Sequence, residues 1–192
     1  MALHGRQRQV HRRLERAVLN MPLQGKFIVD NKPFSPLSIF GMGTFMAFSG
    51  DDAYRNRGGC TAIANKGPLP AGKYWIVDRP AGGFLSQTES QIKDSWNAVW
   101  GAPSHHSEWF ALYRDDGVID DYTWVNGVRR GNFRLHPIGG GGHSHGCITL
   151  ASYAEFQGLR RALLQTNTIP ARNSGLDAYG WIEVITYGNT CP

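Results

Sequence analysis

One stretch of the chain gathers the residue types that nucleophilic catalysis by a thiol requires. It runs from Arg134 to Leu150 and reads RLHPIGGGGHSHGCITL. Cys147 follows a glycine run with histidines before it, so that a thiolate, an imidazole and backbone N–H groups facing an oxyanion can meet there. Glycine permits such exposure of the backbone because it has no Cβ. The stretch therefore predicts a cysteine nucleophile at Cys147.

A cysteine nucleophile needs a base, because a free thiol with a pKa of about 8.5 is mostly protonated at neutral pH. His136 is the candidate base: it ends a predicted strand, and the glycines that follow can fold the chain back toward Cys147. His145 is the rival, since residues two apart on an extended strand point to the same face. The sequence leaves the choice between the two histidines open.

Two other interpretations of the same residues compete with the nucleophile. His136, His143, His145 and Cys147 are ligand types that zinc accepts, which would suit a zinc-dependent hydrolase. Structural zinc sites usually pair their ligands across two knuckles, and the chain has no second cysteine pair. Cys147 is alternatively a buried, inert thiol. We expect neither a metal nor a cofactor.

The length of 192 residues fits one domain, and the pattern after Gly25 indicates a β-rich fold. Turn residues repeatedly interrupt short apolar runs there. Asp115-Asp116-Gly117 and Asn126-Gly127 each predict a tight hairpin. The candidate strands are Lys26–Asp30, Thr44–Phe48, Lys73–Asp78, Trp109–Arg114, Val118–Thr123, Asn132–His136, Ile148–Leu150 and Trp181–Tyr187.

Two helices are predicted, one at each side of this β-rich region. Residues 1–24 show helical spacing of apolar residues with arginines opposite, which predicts a basic amphipathic helix followed by a catalytic domain over residues 25–192. The helix either packs on the domain with its basic face in solvent, the interpretation we favour, or serves docking or delivery. Ser152 and Glu155 form a capping box that begins a second helix, which ends before Pro170. Residues 82–107 have no clear pattern and suit either a lid or cleft wall or a packed Ω-loop.

Charge and hydropathy exclude two classes of partner. The net charge is +5, but five arginines in residues 1–20 supply most of it against Glu15, and the remainder is nearly neutral. A binding face for nucleic acid needs clustered basic residues, so no nucleic-acid partner is expected. No apolar run approaches roughly 20 residues and no signal-peptide pattern is present, so we expect no stable membrane insertion.

The motifs around Cys147 resemble a known family. Ser144-His145-Gly146-Cys147 matches the box of the L,D-transpeptidases (YkuD-type) of bacterial cell-wall metabolism, which also carry an upstream histidine. The chain is more closely similar to the type VI secretion L,D-transpeptidase effectors, through Arg134-Leu135-His136-Pro137 and Gly67-Pro68-Leu69-Pro70-x-Gly72-x-Tyr74. This resemblance covers most of the chain from Gly25.

The resemblance implies both a fold and a reaction. The fold is mainly β, an L,D-transpeptidase-like β-sandwich or mixed sheets with one helix after the cysteine. Cys147 would attack the bond between meso-diaminopimelate and D-Ala in peptidoglycan tetrapeptide stems, forming a thioester that water or an amine resolves. Gly146 and Cys147 would supply oxyanion N–H groups, and Ser144 would orient a histidine.

The sequence departs from the broader family at Thr149, where housekeeping members usually carry Arg or Asn that helps hold substrate. Arg134 is the candidate to take over that substrate-binding role, beside Thr149 itself. The resemblance also implies injection by a type VI secretion apparatus, action in the periplasm of a target bacterium and a cognate immunity protein. A non-catalytic cell-wall or partner-binding module is the alternative from another class.

The remaining cysteines, Cys60 and Cys191, are consistent with a disulfide and equally with two buried free thiols.

Overall fold

The computed structural model describes residues 21–79, 108–139 and 141–192. These contain two short 3-10 turns, Asp52–Tyr54 and Gly58–Cys60, and the following regular elements in chain order: β1 Leu23–Val29, β2 Ser35–Ile39, β3 Gly43–Phe48, β4 Gly72–Asp78, β5 Phe110–Arg114, β6 Tyr122–Val125, β7 Val128–Gly131, β8 Arg134–Pro137, β9 Ile148–Leu150, α1 Tyr153–Gln165, β10 Ile169–Pro170 and β11 Asp177–Thr186. The predicted lid over residues 82–107 lies outside the described residues. So does the predicted basic helix, except for residues 21–24, where Leu23 and Gln24 open β1.

Eight strands form a closed, barrel-like sheet in the order β1-β2-β3-β9-β8-β5-β4-β11, and β10 pairs with the outer part of β11. Closure comes from β1, which pairs antiparallel with β2 and parallel with β11, from Leu23↔Gly180 to Val29↔Thr186. The mainly β prediction is confirmed. The sandwich is not what forms, because β1 joins the two ends of the sheet and leaves no open edges between two layers.

The core fills the inside of this sheet. Side chains alternate between buried and half-buried along β1 and β2, as a strand with one face in the core requires. Helix α1 adds Phe156, Leu159 and Leu163 to the same cluster. On the outer face of β4 and β5, a second cluster covers the sheet, which is why these strands are buried on both faces: Trp75, Val77, Ala111, Tyr113, Ala171 and Ala178.

The two predicted hairpins had different outcomes. The Asn126-Gly127 hairpin is confirmed: β6 and β7 pair through Val125↔Val128, and both turn residues have positive φ (50° and 77°). The hairpin at Asp115-Asp116-Gly117 was wrong. Strand β5 pairs with β4 on one edge and β8 on the other, so neither edge was available to the segment after the turn.

Most other predicted elements appear near their predicted positions. Helix α1 begins after Ser152, whose hydroxyl accepts from the Glu155 backbone N–H at 3.3 Å, and it ends before Pro170 as predicted. Among the described residues, no helix is long and apolar enough to cross a bilayer. Strand β2 was not predicted, and Pro36 within it is a residue that usually argues against a strand.

A disulfide joins Cys60 to Cys191, with their Cα atoms 5.0 Å apart. This settles the pairing that the sequence left open. The bridge ties the end of the chain to the Gly58–Cys60 turn. Cys147 is therefore the one free thiol of the protein's three cysteines.

Because β11 packs closely against β1 where the sheet closes, a methyl group at Gly180 should strongly destabilise the fold. This residue has φ +151°, and a Cβ there would lie 1.8 Å from the Leu23 carbonyl oxygen on the neighbouring strand β1. We expect Gly180→Ala to lower the free energy of unfolding by about 3 kcal/mol or more, because backbone atoms of β1 must move. Urea denaturation measures the change.

Gly158→Ala on α1 is the matched control, since a Cβ there meets only the end of Arg161 at 4.0 Å. It should raise the free energy of unfolding by about 0.5–1 kcal/mol, the usual helix preference for Ala over Gly. Equal effects of the two substitutions would contradict the close approach of β1 to β11.

Candidate active site

Cys147 lies at the point where the chain returns beside the strand that carries His136. Strands β8 and β9 pair in parallel, with Leu135 opposite Ile148 and His136 opposite Thr149. Parallel strands cannot be joined by a tight turn, so residues 138–147 must carry the chain back along the sheet. The glycine run lies in this returning segment, and Cys147 is its last residue, immediately before β9.

The Cys147 side chain is fully buried and its sulfur faces the segment that enters β8. The Sγ–H group donates to the Asn132 carbonyl oxygen at 3.7 Å. Burial raises the pKa of the thiol to about 11, while the Arg134 charge, a hydrogen bond from the Arg134 backbone and the Arg130 charge act to lower it, and the Asp121 charge acts with burial. The thiol is therefore protonated at neutral pH in this state.

Arg134, a predicted substrate-binding residue, is buried and held by a carboxylate. Its guanidinium forms a two-point ion pair with Asp121, with both N···O distances 2.6 Å, and it also donates to the Phe133 carbonyl oxygen at 2.8 Å. Burial disfavours the charged form of Arg134, but the hydrogen bond and charge of Asp121 outweigh it and raise the pKa. Arg134 is thus a fixed cation beside the sulfur.

Arg130 is a second buried cation near Cys147, and its neighbours are neutral. Its guanidinium donates to the carbonyl oxygens of Thr61 and Gly67, the latter at 2.8 Å. No carboxylate pairs with it among the described residues. Burial lowers the pKa of Arg130 to about 10, and the nearby Tyr74 and Cys147 act in the opposite direction.

Gly146 allows Arg130 to come close to the backbone of the residue before Cys147. A Cβ at Gly146 would lie 2.7 Å from Arg130 Nη2 and 2.9 Å from a ring carbon of Phe133, and the φ of +96° also favours glycine. The glycine of the box is therefore required by both backbone conformation and space.

His136 is buried, and its two ring nitrogens have distinct partners. Nδ1 lies 2.8 Å from the Pro137 carbonyl oxygen, which can only accept, so Nδ1 carries the proton. Nε2 then has a lone pair in the neutral ring, and the Thr149 hydroxyl, 3.2 Å away, donates to it. The ring stacks on Trp109 with centroids 4.3 Å apart. These contacts fix both the tautomer and the ring plane.

The other predicted residues of the box lie around the turn before Cys147. Ser144 is buried, and its hydroxyl donates to the Cys147 carbonyl oxygen at 3.0 Å, a contact within the box and not with an imidazole. His143 pairs with Asp51 through Nδ1 at 2.9 Å. His145 is half-buried; burial lowers its pKa, and the Asp51 charge opposes this.

The four residues considered as zinc ligands do not gather at one point among the described residues. His136 contacts Pro137 and Thr149, while His143 contacts Asp51. The only group of at least three potential ligand atoms within 4.8 Å in the described part of the chain is Asp51, Asp52 and His143, which does not include Cys147.

Three residues of the site were not predicted from the sequence. Asp121, which holds Arg134, and Trp109, which stacks on His136, have no spacing signal because their partners are distant in sequence. Arg130 had a partial signal: with Arg129 and Arg134 it forms the only cluster of three nearby basic residues outside the N-terminal segment. Proximity in the sequence did not show that Arg130 and Arg134 are buried.

The fold and the site define a class of protein: a mainly β domain in which a buried cysteine ends a Ser-His-Gly-Cys turn and immediately precedes a strand, and the neighbouring strand carries a histidine. Residues 43–173, more than half of the chain, match the family model of the Tlde1 domain. The chain belongs to the Tlde1 domain family, a family of type VI secretion effectors. Searches of curated proteins and of solved structures return no match.

The charges around Cys147 predict how its thiol titrates. Asp121→Asn removes a negative charge that favours the protonated thiol, so we expect a lower pKa and more thiolate at any given pH below it. Thiolate ultraviolet absorbance against pH, with Cys147→Ala subtracted, measures this, because Cys147 is the one free thiol.

Asp115→Asn provides the matched control. Asp115 is likewise a carboxylate in an ion pair, with a buried side chain, but its partners are Lys73 and Arg172. Asp115→Asn should leave the pKa of the Cys147 thiol unchanged. A titration that moves equally in both variants, or upward in Asp121→Asn, would contradict the assigned electrostatics.

Proposed function

We propose that this chain is a cysteine-dependent L,D-carboxypeptidase and L,D-transpeptidase that acts on peptidoglycan tetrapeptide stems, at the bond between meso-diaminopimelate and D-Ala. Membership of the Tlde1 domain family supports an enzymatic effector. The observation that carries the proposal is the β8–β9 register. It sets a histidine with an oriented Nε2 lone pair on the strand beside the one free thiol.

In the first half of the reaction, His136 Nε2 takes the Cys147 proton as the sulfur attacks the carbonyl carbon of the L-centre of meso-diaminopimelate. Backbone N–H groups of Gly146 and Cys147 donate to the oxyanion of the tetrahedral intermediate. The carbon–nitrogen bond then breaks, the His136 imidazolium gives its proton to the leaving amine of D-Ala, and a thioester remains on Cys147.

In the second half, water or an amine attacks the thioester carbonyl and gives its proton to His136. The carbon–sulfur bond breaks, and the sulfur regains the proton from the imidazolium. Water yields a tripeptide stem, which is L,D-carboxypeptidase activity. The amine of another D-amino acid yields exchange, and the amine of a second stem yields a crosslink.

Because the Cys147 thiol is protonated before the reaction, its attack on the substrate requires a base. With the pKa of Cys147 raised to about 11 by burial, little thiolate exists at neutral pH, so attack requires proton transfer to an imidazole. His136 is favoured over His145 for this role because its Nδ1 proton is fixed by Pro137, which leaves Nε2 as the basic atom. The buried charges of Arg134 and Arg130 favour the thiolate as it forms.

The disulfide fits action outside the cytoplasm. Bridges such as Cys60–Cys191 persist in oxidising compartments, and the bacterial periplasm is one of them. Together with the family's link to type VI secretion, this supports delivery by the secretion apparatus into the periplasm of a target cell. A producing cell would then need a cognate immunity protein against its own toxin.

A second candidate is a non-catalytic cell-wall or partner-binding module. The complete burial of Cys147 favours it, since substrate must reach the sulfur for turnover. The assay below separates the two candidates.

Release of D-Ala from purified muropeptide tetrapeptides tests the proposal. The unsubstituted protein should release D-Ala, and Cys147→Ala should release none because no thioester can form. His136→Gln should lower kcat by about 10²–10⁴-fold, the usual contribution of a general base. Chromatography with mass detection of stems and free D-Ala measures the reaction.

His145→Gln and Arg161→Gln complete the design. A larger loss of kcat in His145→Gln than in His136→Gln would reassign the base. Arg161, on the exposed side of α1, should be replaceable without effect. Binding of muropeptides without release of D-Ala by any form would favour the non-catalytic module.

Thr149 is proposed to act as a positioning residue through its hydrogen bond to His136 Nε2. Thr149→Val keeps the shape and removes the hydroxyl, so we expect kcat to fall about ten-fold, the worth of one buried hydrogen bond. Thr149→Ser should restore most of the rate. A packing role alone would give the opposite order, with Val tolerated better than Ser.

A further inference from the structure

A small polar cavity lies beside Cys147 on the side of the β6–β7 hairpin. Its volume is about 190 Å³, and its lining includes Asn65, Tyr122, Arg129, Arg130, Asn132 and His145. Two of its lining residues neighbour Cys147: the Asn132 carbonyl oxygen accepts from Cys147 Sγ, and His145 is two residues before Cys147 in the chain. A ligand in the cavity would therefore contact residues that are direct neighbours of Cys147.

The cavity wall is cationic and holds no acidic side chain among its described lining residues. Arg129 lies over the Tyr122 ring, with its guanidinium carbon 3.7 Å from the ring centroid, and no described carboxylate pairs with it. Arg130 donates only to carbonyl oxygens, as described above. Two guanidinium groups without carboxylate partners favour an anion that can accept several N–H donors at once.

Asn132 adds an acceptor to these donors. Its side-chain Oδ1 is buried and has no hydrogen-bond partner in the described structure. A buried polar atom of this kind costs about 1–3 kcal/mol if nothing satisfies it, so a ligand that brings an N–H group would gain from pairing with it. Asn132 lines the cavity, so a turn of its side chain would present this acceptor to an N–H group beside the bound anion.

An α-amino acid carries this pair of groups on one carbon. We propose that the cavity binds the carboxylate and the α-nitrogen of a single amino-acid residue, with Arg129 and Arg130 on the carboxylate and Asn132 Oδ1 accepting from the nitrogen. Its volume of about 190 Å³ is below the roughly 300–1,000 Å³ of pockets that bury drug-sized ligands, which suits a single residue.

The role of the bound amino-acid residue in the reaction rests on the proposed function. The residue is either the terminal D-Ala that leaves, whose nitrogen is an amide N–H, or the free D-amino acid that attacks the thioester, whose nitrogen is an amine. Both present the same chemistry to the cavity.

Binding to the full chain with Cys147→Ala tests the cavity without turnover. The ligands are N-acetyl-D-alanine, which has an amide N–H and a carboxylate, D-alanine, and the carboxamide of each. We expect at least one of the acids to bind and its carboxamide to bind about ten-fold more weakly or worse, because a charged hydrogen-bonded group is lost. NMR titration measures the dissociation constants.

Two further substitutions in this background locate the site. Arg129→Gln removes one cation, and Asn132→Gly removes the orphaned amide while keeping the backbone, since Asn132 has φ +55°. Each should weaken binding of the acid about ten-fold. The matched controls are Arg161→Gln and Asn126→Gly, the latter at another positive φ of 50°, and both should leave binding unchanged.

The outcomes distinguish the leaving D-Ala from the attacking D-amino acid as the ligand, and they test the cavity separately from the proposed function. Tighter binding of N-acetyl-D-alanine assigns the cavity to the leaving residue, and tighter binding of D-alanine assigns it to the acceptor. Equal binding of acids and carboxamides, or binding unaffected by Arg129→Gln and Asn132→Gly, would overturn the inference. Turnover by the unsubstituted protein would in that case leave the proposed function standing, whereas acid-selective binding without turnover would support the cavity alone.

Discussion

The parallel pairing of β8 with β9 is the constraint on which the site depends. It forces residues 138–147 to leave the sheet and return, and this loop is held at three points: Arg55 donates to the Gly142 carbonyl oxygen at 2.8 Å, His143 pairs with Asp51, and Ser144 closes the turn onto Cys147. A tight connection could join only antiparallel strands and would not place Thr149 opposite His136. Strand register and loop anchoring together therefore orient the imidazole and deliver the thiol.

Two electrostatic effects act on the Cys147 thiol in opposite directions. Burial keeps the Cys147 thiol protonated, while two buried guanidinium groups lower the energy of its anion. Arg134 is neutralised by Asp121, but Arg130 contacts carbonyl oxygens and so keeps its full positive charge near Gly146. Isolated buried charges are costly. In the proposed reaction, the negative charge that develops at the sulfur or the oxyanion would compensate Arg130.

Elements with purely local causes were predictable from the sequence. The Asn126-Gly127 turn needs two positive φ angles that these residue types adopt readily, and the Ser152–Glu155 capping box closes its own hydrogen bond. The hairpin at Asp115-Asp116-Gly117 failed for a non-local reason, since β4 and β8 already occupied both edges of β5. Closure of the sheet by the pairing of β1 with β11 also could not be predicted from the sequence, because the two strands are about 150 residues apart in the chain.

The sequence alone determined the chemical components: the Ser-His-Gly-Cys box, the upstream His136, and the glycines that permit the return loop and the approach at Gly146. Only the tertiary structure decided their surroundings. Arg130 reaches carbonyl oxygens 69 and 63 residues away, Cys191 bridges to Cys60 across 131 residues, and Asn132 keeps a buried oxygen that no described residue pairs with. Spacing along the chain encodes neighbours within a turn or strand, whereas burial, ion pairing and cavity shape arise only when distant segments pack together.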